Sequence, residues 1–182
     1  MNMTRIASFA AIALLALPAS AFAHRLDEYL QATTLNITHS DISLHLRLTP
    51  GVDVAEGVIG QIDRNGDGNL SLAEQVGYVS LVTQGLSLSI NGRPSQLIAG
   101  EAYFPSVAAM KAGTGTIDIH LRTVTGFQKG KYRLIYRNRG SGPDTVWLVN
   151  CLFPQDTAIH VLQQGRSEDQ SSYTLDFSVS AL

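Results

Sequence analysis

Six residues with oxygen-bearing side chains fall within one short stretch of the chain, at spacings that could place them around a single point. They are Asp63, Asn65, Asp67, Asn69, Ser71 and Glu74. The first three alternate along the chain, and Gly68 follows them where a sharp turn leaves no room for a Cβ atom. Oxygen ligands of this kind suit a hard cation such as Ca²⁺, which takes about six to eight of them.

The whole stretch, from Asp63 to Glu74, reads D-x-N-x-D-G-N-L-S-x-x-E, which is the pattern of an EF-hand calcium loop. In this pattern the first three ligands act through side-chain oxygens, Asn69 through its backbone carbonyl, and Ser71 directly or through a water. Glu74 closes the site with both carboxylate oxygens. Asp, Asn and Gly also cluster in ordinary turns, so a loop that keeps its shape but binds weakly is the alternative. We predict a calcium site formed by all six residues.

Apolar residues flank the loop at helical spacing. The entering helix is marked by Val52, Ala55, Val58, Ile59 and Ile62, and the exiting helix by Leu72, Val76, Val79 and Val82. Gly85 is a typical helix stop, so we predict one EF-hand over about residues 52–84. The sequence shows no second loop of this kind. A lone site with three carboxylates is expected to bind weakly, at around 10⁻⁴ to 10⁻³ M, as extracellular modules do.

Short segments of alternating apolar and polar residues make up the rest of the chain. We predict strands at 28–38, 40–48, 86–90, 96–104, 116–124, 131–138, 145–153, 157–163 and 172–179. Asn91-Gly92 predicts a hairpin between the third and fourth of these, 105–115 reads as a loop, and the continuous apolar run at 145–153 predicts a central strand. The fold expected is an antiparallel β-sandwich of about eight or nine strands, with the EF-hand inserted after the second.

The first 23 residues have the organisation of a secretory signal peptide. Arg5 provides the positive charge, an apolar segment follows at 9–17, and Ala21-Phe22-Ala23 is a cleavage site of the A-x-A type. We therefore expect a single mature domain at 24–182, periplasmic or secreted and without a transmembrane segment, with an uncleaved anchor as the alternative. Cleavage would remove one of 13 basic residues and none of 15 acidic ones. The mild acidity that remains argues against a nucleic-acid partner.

The histidines and the single cysteine are weaker candidates for a second function, the binding of a transition metal. After cleavage, the α-amine and imidazole of His24 could together chelate Cu²⁺ or Ni²⁺. The alternative is that the residue after the cleavage site is arbitrary and has no role in metal binding. The alternative function is therefore a periplasmic accessory protein for nickel, cobalt or copper that works with a membrane permease. The remaining histidines are His39, His45, His120 and His160, and their spacing forms no metal motif. Cys151 lies in an apolar run and is expected to be a buried hydrophobe. No catalytic motif is visible, so we expect no enzyme activity.

Four segments together resemble the extracytoplasmic N-terminal domain of certain bacterial HupE/UreJ-type membrane proteins, and similar secreted proteins with an EF-hand. These segments are 24–33, 48–52, 62–74 and 148–150. In the membrane-linked members a multi-helix segment follows, and the superfamily is associated with nickel or cobalt transport. The resemblance implies a functional role only for the six loop residues. From sequence we therefore predict an exported protein whose Ca²⁺ mainly stabilises the domain, with a membrane protein or a second copy as partner through the EF-hand.

Overall fold

The computed structural model describes residues 27–140, 142 and 144–181, and this part of the chain is mostly β-structure. Its strands are β1 (Tyr29–Ile37), β2 (Asp41–Pro50), β3 (Leu86–Ile90), β4 (Arg93–Ser95), β5 (Ile98–Tyr103), β6 (Ile117–Val124), β7 (Gly130–Asn138), β8 (Thr145–Cys151), β9 (Ile159–Arg166) and β10 (Ser172–Val179). Its helices are α1 (Ala55–Ile62), α2 (Leu72–Gln84) and α3 (Val107–Lys111). No described helix is long and apolar enough to cross a membrane.

The strands form two five-stranded sheets, in the orders β5-β6-β2-β1-β8 and β4-β3-β7-β10-β9. Neighbouring strands are antiparallel except for β1 and β8, which are parallel. The prediction of a mostly β, sandwich-like fold is confirmed, with α1 and α2 inserted between β2 and β3 as expected.

The core lies between the two sheets because their strands alternate buried and half-buried residues. Every second residue of β1 is buried, and β10 shows the same alternation. Polar groups inside this core are paired across it. Thr33 Oγ1 lies 2.8 Å from the hydroxyl of Tyr136, and Asn138 Nδ2 donates to Gln31 Oε1 at 2.9 Å. These contacts tie β1 to β7 and satisfy groups whose burial would otherwise be costly.

Two predictions about the strands were wrong in the same way, because local patterns do not specify long-range pairing. The Asn91-Gly92 turn forms, with φ of 50° and 77°, but it joins β3 to the short β4. The predicted partner at 96–104 is β5 instead, which crosses to the other sheet and pairs with β6. The run at 145–153 is the edge strand β8, and Leu148 on it is 41 % exposed.

The segment 105–115, predicted as a loop, contains α3. Ser106 caps this short helix by accepting a hydrogen bond from the backbone N–H of Ala109 at 3.2 Å. Met110 is fully buried and holds α3 against the core. A single turn of helix is too short to show a repeating pattern, so it could not be predicted from periodicity.

Of the two larger helices, α1 packs on the sandwich through the expected face, whereas α2 does so only in part. On α1 the buried residues are Ala55, Val58, Ile59 and Ile62, as predicted. Val52, also expected on this face, lies before the helix and is 40 % exposed. On α2 the buried residues are Tyr78 and Val79, whereas Leu72 and Val76 are 76 % and 61 % exposed. The hydroxyl of Tyr78 lies 2.5 Å from that of Tyr29, so α2 is fixed to β1 by a buried hydrogen bond.

Candidate metal centre

The six predicted ligands lie in the connection between α1 and α2, and the ends of both helices hold that connection. The backbone N–H of Asp63 donates to the carbonyl of Ile59 at 2.8 Å, which completes the last turn of α1. Ser71 begins α2 as its N-cap residue, in a reciprocal capping box with Glu74. The loop is therefore anchored at both ends by contacts that its own residue types specify.

Asp63 organises the first half of the loop. The residue is only 9 % exposed, and its side chain accepts three backbone hydrogen bonds. Oδ1 accepts from Gly66 at 2.8 Å and from Asp67 at 3.2 Å, and Oδ2 accepts from Gly68 at 2.9 Å. The chain can turn around this carboxylate because the two glycines have φ of 72° and 77°, where a side chain would be strained.

Asn65, Asp67 and Asn69 continue the loop through hydrogen bonds that join each to the next. Asn65 Oδ1 accepts from the N–H of Asp67 at 2.9 Å, and Asp67 Oδ1 accepts from the N–H of Asn69 at 2.7 Å. Asn65 Nδ2 also donates to Asp67 Oδ2 at 3.1 Å. These three residues are exposed to solvent, so an ion could reach them without any rearrangement of the core.

Glu74 reaches back from α2 and closes the loop. Its Oε2 accepts from the hydroxyl and the N–H of Ser71, at 2.6 and 3.0 Å. Its Oε1 accepts from the N–H of Arg64 at 2.9 Å and from that of Asn65 at 3.4 Å. The hydrogen bonds from Ser71, followed by those from Arg64 and Asn65, lower the pKa of Glu74 below its ordinary value. The carboxylate is thus ionised and held over the loop at neutral pH.

The donor set of this loop fits a hard cation, although its carboxylates are turned toward backbone N–H groups. Among residues 27–140, 142 and 144–181, no three His, Cys, Asp or Glu side chains are grouped so as to hold a metal ion. An ionised carboxylate has about four lone-pair sites. Asp63 accepts three hydrogen bonds and keeps one site, whereas Glu74 accepts four and would have to release some of them to bind an ion. Side-chain amide, hydroxyl and backbone oxygens supply the remaining ligands that Ca²⁺ accepts.

The histidines and the cysteine do not add to this centre. His24 and the whole predicted signal peptide lie outside the described residues. His45 Nε2 lies 2.7 Å from Asp118 Oδ1, and its ring stacks on that of His120 with centroids 4.4 Å apart. This pair follows from the register of β2 and β6, which places the two residues opposite each other. Cys151 is half-buried, and burial raises the pKa of its thiol to about 11.

A buried polar cluster beside α2 was not anticipated from the sequence. It contains Gln31, which is 4 % exposed, and Asn138, which is 3 % exposed. The two residues are far apart in the chain and meet only through the sandwich. Glutamine in an alternating strand predicts a solvent-facing position, so no local signal indicated that Gln31 is buried.

Comparisons of this chain with protein-family models, with curated proteins and with solved structures find no match. The resemblance to HupE/UreJ-type domains therefore stays an expectation from sequence. The case for a cation site depends on the residue types of the Asp63–Glu74 loop and on the contacts described above.

Proposed function

We propose that this protein binds Ca²⁺ through the loop from Asp63 to Glu74, and that the ion mainly stabilises the domain. The observation that carries the proposal is the position of the two end carboxylates. Asp63 gathers the N–H groups of the first half of the loop, and Glu74 bridges from α2 to Arg64 and Asn65. A cation between them would attract both carboxylates and offset the repulsion of three negative side chains.

A stabilising role fits the packing of the helices better than a sensor role does. Sensor EF-hands open on binding and expose an apolar groove. Here the apolar residues of α1 are already buried against the sandwich, and the hydroxyl of Tyr78 on α2 is hydrogen-bonded to that of Tyr29. Opening the pair would break these contacts, so the ion is expected to hold the helices in place. Export to the periplasm or medium, inferred from the first 23 residues, belongs to the same proposal.

A partner at the EF-hand, either a membrane protein or a second copy, is also part of the proposal. Leu72 and Val76 expose apolar side chains on α2 directly after the loop. Together with β5 they border a groove of about 710 Å³. These side chains support a contact made by α2, because apolar residues grouped beside a binding loop are a common feature of interaction surfaces.

Thermal unfolding with and without calcium tests the central proposal. A ligand at about ten times its Kd stabilises the folded state by about 1.4 kcal/mol, which is about 3–6 °C for a domain of this size. We expect this rise of the unfolding midpoint between about 0.1 and several mM Ca²⁺. No shift at several millimolar would refute the calcium site.

A matched pair of variants tests the ligand set. Glu74→Gln removes one charge and the two-oxygen closure, so calcium binding measured by calorimetry should weaken at least tenfold. Asp53→Ala is the control, because Asp53 is an exposed acid just before α1 and outside the loop. Its affinity should equal that of the wild type. Unchanged binding in Glu74→Gln, or a large loss in Asp53→Ala, would contradict the assigned loop.

A further inference from the structure

The buried amide of Gln31 has one donor group without a protein partner in the described part of the chain. Asn138 Oδ1 accepts a hydrogen bond from the backbone N–H of Gly140 at 2.8 Å. Asn138 must therefore donate through Nδ2, and Gln31 accepts through Oε1 at 2.9 Å. This orientation is fixed, because a backbone N–H can only donate. Gln31 Nε2 is left as a donor without a protein acceptor, and Gln31 lies at the wall of an open cleft.

The cleft runs between the β-sandwich and the EF-hand helices. It has a volume of about 560 Å³, within the range of about 300–1,000 Å³ that small-molecule sites occupy. Leu81 and Val82 on α2 give it an apolar wall, and Arg139 contributes the charged side chain of its lining. The cleft thus combines an amide donor at its wall, an apolar surface and one cation, which is the composition of a site for a small amphipathic molecule.

Close backbone packing makes one wall of this cleft rigid. The N–H of Arg139 donates to the carbonyl of Gly85 at 2.7 Å. A Cβ atom added to Gly85 would lie 2.9 Å from Gly140 Cα, and one added to Gly140 would lie 3.2 Å from Gln31 Oε1. Glycine at both positions therefore allows the end of α2 and the segment after β7 to pack closely. This packing holds Gln31 Nε2 in position at the cleft wall before any ligand binds.

The charges around the cleft favour an anionic ligand. No Asp or Glu is among the described residues that line it. The C-terminal ends of α1 and α2 each contribute up to about half a negative charge, but this effect falls off within one turn. The guanidinium of Arg139 carries a full charge and can donate two parallel hydrogen bonds to a carboxylate. The attraction of a bound carboxylate to the guanidinium of Arg139 should therefore exceed its repulsion by the C-terminal ends of the two helices.

We propose that this cleft binds a small organic carboxylate. One carboxylate oxygen accepts a hydrogen bond from Gln31 Nε2, and Arg139 supplies the opposite charge. The apolar part of the ligand packs on Leu81 and Val82. This site is separate from the calcium loop and goes beyond the calcium-binding function.

Calorimetry with hexanoate and hexanamide on the purified protein tests the proposal. Calcium is removed with a chelating resin, because soluble chelators are themselves carboxylates, and the titration is repeated with calcium. Hexanoate should bind with a Kd of about millimolar or tighter, and hexanamide at least tenfold more weakly. Binding in the calcium-free sample keeps the result independent of the metal site. No heat from hexanoate in either sample, or equal binding of hexanamide, would overturn the proposal and leave a water as the partner of Gln31.

Two variants separate the cleft from non-specific attraction. Arg139→Gln should weaken hexanoate binding about tenfold, whereas Arg122→Gln, an exposed arginine on β6 outside the cleft, should have no effect. Gln31→Leu should also lose binding, with circular dichroism used to confirm that it folds. Equal losses in Arg139→Gln and Arg122→Gln, or no loss in Arg139→Gln, would refute the assigned site even if Gln31→Leu fails to fold.

Discussion

Replacing Asp63 by Asn tests how the loop keeps its shape without an ion. In the wild type the carboxylate accepts hydrogen bonds from the backbone N–H groups of Gly66, Asp67 and Gly68. An asparagine has one oxygen, which can keep the first two. Its NH₂ group would then face the N–H of Gly68, and two donors cannot bond to each other.

The size of the effect follows from the lost hydrogen bond. Asp63 is 9 % exposed, so water replaces the lost partner poorly. A hydrogen bond to a charged group contributes about 1.5–3 kcal/mol, and the substitution should cost about this much without calcium. For a domain of this size each kcal/mol corresponds to about 2–4 °C. The unfolding midpoint should therefore fall by about 3–12 °C.

The assay is thermal unfolding in calcium-free buffer, followed by calorimetric titration with calcium. Asp67→Asn is the matched control, because its amide replacement can keep the bond from Asn69. The bond from Asn65 is lost, but Asp67 is exposed, so water can replace it. Without calcium the control should stay within about 0.5 kcal/mol of the wild type, as surface substitutions usually do. In calcium both variants should lose the stabilisation that the ion gives.

An unchanged midpoint in Asp63→Asn without calcium would refute the reasoning, since the hydrogen bond from Gly68 to the carboxylate would then contribute nothing to the stability of the loop. An equal fall in both variants would also count against it. The loss would then follow the removal of charge rather than the burial of the Asp63 carboxylate.

Two further predictions concern α2. Burial, reinforced by the neighbouring Tyr78, raises the pKa of Tyr29 well above its ordinary value of 10.0. The folded state therefore keeps this proton to higher pH than the unfolded state does, and stability should fall as pH rises above about 10. Tyr29→Phe should reduce this fall between pH 9 and 11, whereas Tyr103→Phe, at an exposed site, should leave it unchanged; equal slopes in all three proteins would contradict the prediction. We also expect the wild type to self-associate in calcium at high protein concentration, and Val76→Ser to weaken this in sedimentation velocity. A monomer at every concentration would exclude a second copy as the partner.

The features predicted correctly from sequence are those set by neighbouring residues. The bounds of α2 agree with the prediction because Ser71, Glu74 and Gly85 are local signals for its start and stop. The alternation in β2 likewise gave its buried face. The calcium site stays a prediction, but the loop contacts are local as well, since the longest hydrogen bond within the loop joins residues ten positions apart.

Features set by distant parts of the chain could not be predicted. The periodicity of α2 allows more than one buried face, and the position of Tyr29 decides that Tyr78 is inside. An apolar run such as that of β8 suits an edge strand or a central one equally well. The cleft depends on Gln31 meeting Asn138 across the sandwich. Nothing near either residue indicates that contact.

The parallel pairing of β1 with β8 has a consequence for the order of folding. Tyr29 pairs with Thr145, and Leu35 with Cys151, so the first described strand must wait for one of the last. Until then, β1 has a free edge beside β2, with unpaired backbone groups that other chains could join. Contacts of such long range slow the search for the native topology. We therefore expect the newly made chain to be most prone to aggregation before residues 145–151 emerge, which gives chaperones a defined interval in which to act.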